Sequence, residues 1–291
     1  MANSNKNREN GRHSELSEVS AQLLLKTTTA TIRDVVCSGE CRHKSAEESP
    51  SATHLVFPYR GVFMRHLGQD DAVAEANQVL FFNAEEAYRV SHPVEGGDAS
   101  LDLAIDEALL HELTPKEHLR ETNALSFRGQ RLRIDPRTQA LVAMLRHTLH
   151  NGTIEPLEAE TLTLTLLRRA MGERISHAPG GTVGKQKLVD RAKLALSSDL
   201  ARRWTLAEIA AEVRVSPVYL TQVFQQVEAM PLYRYHLRLR LARSLDLLVQ
   251  CEDLTTLSMD LGFSSHSHFT SAFRQTYGRT PVEFRRSVRS Q

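Results

Sequence analysis

The sequence predicts an α+β chain, with an antiparallel β domain in its N-terminal half and an all-helical domain at its C-terminus. Three observations predict it. Residues 21–108 break into short segments with partial period-two alternation, separated by turn clusters. From residue 137 onward, leucines recur every three or four positions, the spacing of helices. The last hundred residues contain one pattern of two short helices and a tight turn, written twice.

The first 18 residues are polar, carry no apolar run and predict a disordered tail rather than a signal peptide. The whole chain, 291 residues with a net charge of +1, has no stretch of 18 apolar residues. No membrane span is therefore expected, and a cytoplasmic location is. The β domain is placed at 19–115. VFPYRGVFMRHL, QVLFFN, AYRVSH and SLDLAIDE are its clearest strands, and GQDD, NAEE and EGGD are its turns. A helical segment follows at 116–175. Leu141, Leu145 and Leu149 form one stripe that stops at Asn151-Gly152, and Pro156 starts a second helix ending near Met171. SHAPGGTVGK supplies a flexible linker at 176–186.

The duplicated pattern occupies 205–226 and 253–275, within a C-terminal domain spanning 187–291. Thr205 and Phe224 in the first copy answer to Asp253 and Phe273 in the second. Thr205 with Glu208 forms a capping box, and Ser216-Pro217 restarts a helix with a hydroxyl cap and a proline at its first position. Asp253 caps the second copy, where Gly262 supplies a turn with positive φ. This is the sequence form of a helix-turn-helix. Between the copies, residues 231–249 predict one helix with Tyr233, Leu237, Leu241, Leu245 and Leu248 on its apolar stripe. Its length, about 28 Å, is close to the roughly 34 Å between successive turns of a major groove. Arg234, Arg238, Arg240 and Arg243 lie off the stripe, as phosphate contacts or as a solvated face.

Charge divides the chain. Residues 187–291 carry 15 Lys and Arg against 10 Asp and Glu, a balance of +5, whereas residues 1–186 carry −4. A near-neutral total thus hides a basic C-terminal domain of the kind that binds duplex nucleic acid.

GFSSHSHFTSAFRQTYGRTPVEFRR, from Gly262 to Arg286, together with YLTQVF and RLRLARSLDLL, resembles the DNA-binding domain of the AraC/XylS family of bacterial transcription regulators. The resemblance implies a sequence-specific regulator of double-stranded DNA that acts on RNA polymerase. In the first unit the matching recognition positions are Val218, Thr221, Gln222 and Gln225; in the second they are His266, Ser267, Ser271 and Arg274. Gln suits adenine edges, Arg suits guanine or phosphate, and Val or the Thr methyl suits the thymine methyl. Two positions depart from the pattern: Arg214 stands where the second copy has Gly262, and Ala229 stands where a glycine is usual after the first recognition helix.

FPYRGVF and FFNAEEAYRVSHP extend the resemblance to the family's cupin-like sensor barrel. That implies a small-molecule effector, and a homodimer formed by the helical pair of 116–175. Tyr59, Arg60, His66, Tyr88 and His92 are the candidate effector contacts, with Phe57, Phe63 and Phe82 beside them as aromatics that core packing also explains. Arg60, before Gly61, is the candidate anion contact, with a surface salt bridge as its alternative.

The competing reading is a cupin-type metalloenzyme fused to a DNA-binding module. Catalytic cupins need ligands that converge from a close His-x-His and a following Glu. The β domain has no His-x-His; His54, His66 and His92 are scattered, and His266-x-His268 does not share one helix face. No metal site and no cofactor are therefore expected. Cys37-x3-Cys41-x-His43 is the remaining suspect for metal or redox chemistry, but the third cysteine of the chain, Cys251, is too remote to complete a four-ligand zinc site with it.

Overall fold

A computed structural model describes residues 19–39, 42–122, 124–172 and 181–289. The expected tail at 1–18, residues 176–180 of the expected linker and Cys41 lie outside the described residues, and the linker's last four residues, 183–186, begin a helix. The N-terminal half consists of β1 (Val19–Lys26), β2 (Ala30–Cys37), β3 (His54–Arg60), β4 (Phe63–Leu67), β5 (Asp70–Ala74), β6 (Gln78–Phe82), β7 (Arg89–Ser91) and β8 (Asp98–Ile105). A short α1 (Glu107–Leu113) and the strand β9 (Arg131–Arg133) follow. They form two antiparallel sheets, ordered β1-β2-β8-β3-β6-β9 and β5-β4-β7. The expected run VFPYRGVFMRHL is cut into β3 and β4 at Gly61, whose φ is +68°. β9 lies within the segment that leucine spacing gives to helices; it extends the large sheet by pairing with β6.

Alternation sorts the large sheet's side chains onto two faces. Ile32, Leu55, Phe57, Phe81, Leu101 and Leu103 point one way and form the main core with α2 (Pro136–Asn151) and α3 (Pro156–Met171). Val56, Leu80 and Phe82 point the other way and meet Phe63, Ala74, Tyr88 and Val90, most of them from the small sheet. That second core is small, and the space it leaves between the sheets is where the cavity described below opens.

The C-terminal half is helical throughout: α4 (Val183–Ser198), α5 (Leu206–Glu212), α6 (Pro217–Glu228), α7 (Leu232–Leu247), α8 (Leu254–Asp260), α9 (His266–Tyr277) and α10 (Pro281–Arg289). The two predicted units are α5–α6 and α8–α9. Their caps form as the residues dictate. Thr205 and Glu208 exchange both bonds of a capping box. Ser216 accepts from the Tyr219 N–H, Asp253 from the Thr255 and Thr256 N–H groups, and Ser265 from the His268 N–H.

α7 departs from the expected one-sided helix. It is 16 residues long, not nineteen, or about 24 Å. Tyr233, placed on the stripe by spacing, is 67% exposed, while Tyr235, His236, Leu239 and Ala242 are buried. The reason is that α7 is central. Tyr235 and Leu239 enter the core of the first unit with α4, α5 and α6. Leu241, Leu245 and Leu248 enter the core of the second unit with α8, α9 and α10. A helix buried on several sides carries no single apolar stripe.

α2 also does more than cover a sheet. Ala140, Ala143 and Met144 pack into the second unit's core, and the His147 ring bonds the Leu245 carbonyl at 3.0 Å. One face of the predicted dimer helix is thus occupied within the chain by its own helical domain. No described helix is long and apolar enough to cross a membrane.

Candidate nucleic-acid interface

The two units share one concave surface. Thr221 of α6 and His268 of α9 line the same cleft, of about 520 Å³, floored by Tyr233, His236, Leu237 and Arg240 of α7 and walled by Arg203 and Trp204. The opposite side of α7 faces the N-terminal half: Ala242, Leu245 and Asp246 line a small pocket with Tyr59, Gln139, Val142 and Arg146. At about 100° per residue, these two sets of α7 side chains lie on opposite faces of the helix. The N-terminal half therefore docks behind the helical domain and leaves the cleft open.

Of the sequence-predicted recognition residues, Thr221 lines this cleft, and most of the others are exposed on their helices. Val218 is 69% exposed, and Thr221, Gln222 and Gln225 are exposed along α6. Leu220, Val223 and Phe224 on the other face of that helix are buried, which is what holds its reading face outward. On α9, Ser267, Ser271 and Arg274 are exposed, and Phe269, Ala272 and Phe273 are buried. His266 is half-buried, its ring 3.4 Å from the Thr270 hydroxyl. The Thr221 hydroxyl donates to the Pro217 carbonyl at 2.9 Å, so its methyl and the oxygen's acceptor lone pairs are left for a partner. The carboxyl of Glu208 is held at about 2, chiefly by the Thr205 backbone N–H, then by the Thr205 hydroxyl and Arg202.

The arginines of α7 divide differently from their spacing. Arg240 donates to the carbonyls of Leu200, Ala201, Arg202 and Gly262, and so fastens the approach to α5 onto the turn of the second unit. Arg243 pairs with Asp246, which also holds Arg146 of α2. Arg238 is half-buried, and the charges it feels are those of Arg133, Asp135 and Arg234, with Tyr277 beside them. Arg234 is exposed. Sequence spacing misses Arg203, Trp204 and His268 as cleft residues, because the cleft exists only once α7 has brought the units together. Arg202 stacks on the Trp204 ring at 3.9 Å, and the indole N–H donates to the Asp199 carbonyl.

The five candidate effector residues scatter over three places. Tyr88 and His92 line a cavity of about 140 Å³ between the sheets, with Phe63, Phe82, His54 and Asp102. His66 is bonded to Asp71 at 2.6 Å and to Ser91 at 2.8 Å, tying β4 to β5 and β7. Tyr59 lies on the helix side of the large sheet, donating to Asp34 at 2.6 Å with the Arg146 guanidinium 3.9 Å above its ring. Arg60 ends β3, on the side where the charge of Arg243 is felt. Phe57 is core. In the cavity, solvent reaches Asp102 through the mouth, yet desolvation pushes its carboxyl up to about 7, against the Ser100 hydroxyl and Arg33.

The helical domain is similar to parts of known proteins. The family described as "Helix-turn-helix domain" matches residues 209–287. The chain is 35% identical over 100 residues to the HTH-type transcriptional regulator ArgR of Pseudomonas aeruginosa, a match covering 34% of this chain and 30% of that one. It is 21% identical over 257 residues to the probable transcriptional regulator LumQ of Photobacterium leiognathi, covering 85% and 97%. A solved transcriptional regulator with an AraC-type DNA-binding domain from Chromobacterium violaceum is 29% identical, with a TM-score of 0.35, over 38% of this chain and 98% of that one. The match thus spans less than a third of the length of ArgR.

Proposed function

We propose that the chain is a transcription regulator of the AraC/XylS type, as the match of its helical domain supports, and that it reads double-stranded DNA with both units at once, α6 and α9 entering successive major grooves. The observation that carries this reading is the cleft: residues of both recognition helices border one open surface, on the face of α7 turned away from the N-terminal half. Exposed Gln222 and Gln225 have the donor and acceptor pair that reads adenine, and Arg274 that which reads guanine. Arg203, at the cleft wall, supplies phosphate attraction, as does exposed Arg234.

The rest of the reading concerns control. The cavity between the sheets holds a small effector, and Tyr88 and His92 are its sequence-predicted contacts. The effector shifts the chain between two arrangements by its differential affinity for them. The protein acts as a homodimer on two half-sites and engages RNA polymerase. Since α2 is committed to its own helical domain, the dimer surface falls to the outer face of α3, where Leu157 is 77% exposed.

The test is base preference. Full-length protein is assayed for binding to a randomised duplex library, alongside Gln222→Ala, Ser271→Ala and Arg234→Ala. The first two change preference at separate positions of the site, and the third weakens all sequences alike and lowers the salt dependence. Equal losses on every sequence from all three overturn the assignment.

A further inference from the structure

We propose that the cavity between the sheets is a divalent-metal site of the zinc type, ligated by the Cys37 thiolate, the His92 imidazole and the Asp98 carboxylate. One ligand atom from each residue lies within 4.8 Å of the other two. Each residue is only 7% exposed. Sequence spacing offers Cys41 and His43 beside Cys37; the fold brings to it His92 and Asp98, 55 and 61 positions further along the chain.

The geometry follows from the strands. Cys37 ends β2 and Asp98 begins β8, and the two are direct partners in the antiparallel ladder. Directly opposite residues leave a sheet on the same face. His92 directly follows β7 of the small sheet, so an ion held by all three joins the two sheets. The same three side chains form part of the cavity wall. Asp98 Oδ2 lies 2.8 Å from His92 Nε2, yet this oxygen accepts no hydrogen bond among the described residues. The two atoms form an ion pair only when the His92 ring is protonated, and a metal cation between them would take that proton's place.

The backbone prepares the ligands. Gly97, at φ +67°, precedes Asp98, and a Cβ on it would lie 2.3 Å from the Cys37 carbonyl oxygen. Only glycine permits that approach, which presses the two ligand-bearing chain ends together. The donor set fits zinc: one thiolate, one imidazole and one carboxylate are a borderline-soft combination. Two anionic ligands cancel the charge of the dication, which a buried site requires. The thiol proton leaves to solvent as the metal binds, so uptake releases protons and is tighter at higher pH. Three protein ligands leave one tetrahedral position facing the cavity, where water or a small lone-pair donor completes the shell beside Tyr88 and His54.

Metal binding is measured without DNA, so the outcome is independent of the reading of the helical domain. Purified full-length protein is stripped with chelator and titrated with Co²⁺. The expected result is one equivalent bound, a thiolate-to-cobalt charge-transfer band, and displacement by Zn²⁺. Cys37→Ser abolishes the band and weakens binding by more than about 100-fold, the upper end of what an outer-shell partner costs. Asp98→Asn retains the band with weaker binding. The double variant Cys41→Ser with Cys251→Ser leaves Cys37 as the only thiol and keeps both band and stoichiometry; it decides the matter if circular dichroism shows that Cys37→Ser does not fold. Absence of stoichiometric cobalt binding at micromolar protein, or loss of the band in the double variant, overturns the site and leaves a buried trio bonded among themselves.

Discussion

The first helix-turn-helix unit and the second face the same two backbone problems and answer them with different residues. Each turn between helices needs a residue with positive φ: Arg214 takes +59° in the first unit, and Gly262 takes +77° in the second. Each recognition helix ends on a left-handed cap: Ala229 at +51° and Gly278 at +75°. The surroundings explain why only one site must be glycine. Arg214 is exposed, so its side chain extends into solvent and only the conformational cost remains. At Gly262 a Cβ would stand 2.1 Å from the Ala201 carbonyl oxygen. The second turn is the joint between the units, pressed against the approach to α5 and bound there through Arg240.

The units also dock differently on the N-terminal half. The first meets it through charge. Lys193 is fully buried 2.7 Å from Glu228 and 4.0 Å from Glu75, Arg133 reaches Glu228 at 3.1 Å, and Arg131 reaches Asp190 at 3.2 Å. Burial pushes Glu75 up, while Lys193 and Arg133 hold Glu228 down in spite of its burial. The second unit docks through Ala140, Ala143 and Met144 of α2 and the buried Tyr277. A buried ion cluster gains little net stability but is costly to break, whereas apolar contact stabilises without demanding one geometry. The first unit is therefore held chiefly by a buried charge cluster, and the second by apolar area together with the ion pair of Arg146 with Asp246.

The largest effect that tests this contrast comes from Lys193→Ala. It leaves buried Glu75 without its cation and Glu228 with Arg133 alone, and should destabilise the chain by about 3–5 kcal/mol in denaturant unfolding. A loss below about 1 kcal/mol would show that water enters the cluster and that the docking is not charge-defined. Next is Gly262→Ala, which combines a clash with backbone and a left-handed alanine. About 3 kcal/mol is expected, with loss of DNA binding as the units lose their register. Arg214→Ala at the equivalent position should change stability by less than about 0.5 kcal/mol; equal costs at the two turns would erase the difference drawn here.

Acidification probes the joints. Burial, and then Arg146, lowers His147 to about 4; burial, and then Arg240, lowers His236 to about 4. Both histidines are neutral in the folded and unfolded chain at pH 8, so neither contributes there. Below about 6.5 the unfolded chain takes up protons that the folded chain refuses until about 4, so stability falls as pH drops through that window. Between pH 7 and 5 each should cost about 2 kcal/mol, and His147→Gln should flatten the slope seen in unfolding titrations. A pH-independent midpoint over that range would show both rings accessible. The smallest expected effect is a gain: Ala229→Gly relieves the left-handed cap and should stabilise by about 0.5–1 kcal/mol, read as a raised melting temperature.

Much of the helical domain is legible residue by residue. Thr205, Ser216 and Asp253 act on N–H groups two or three positions ahead, so their work is written in adjacent residues. The buried faces of α6 and α9 follow from spacing for the same reason. α7 is the counter-example. Its residues enter two cores at once, and the periodicity that identifies a single buried face dissolves. Arg240, which spacing offers to solvent or phosphate, is turned by its neighbours toward four carbonyls, and Arg238 is half-buried. Among the candidate effector residues, Tyr88 and His92 reach the cavity between the sheets, and Tyr59 faces the helices because its strand parity puts it with Phe57.

By itself the chain's order of residues determined the caps, the turns, the duplication and the side of each short helix that is buried. Each of these is decided by atoms only a few bonds or one helical turn apart. What only the tertiary structure decided is which buried side meets which neighbour: the open cleft behind which the sheets dock, the charge cluster around Lys193, and the meeting of Cys37, His92 and Asp98. Those depend on segments tens of residues apart, whose approach is set by packing and strand pairing that no local pattern records.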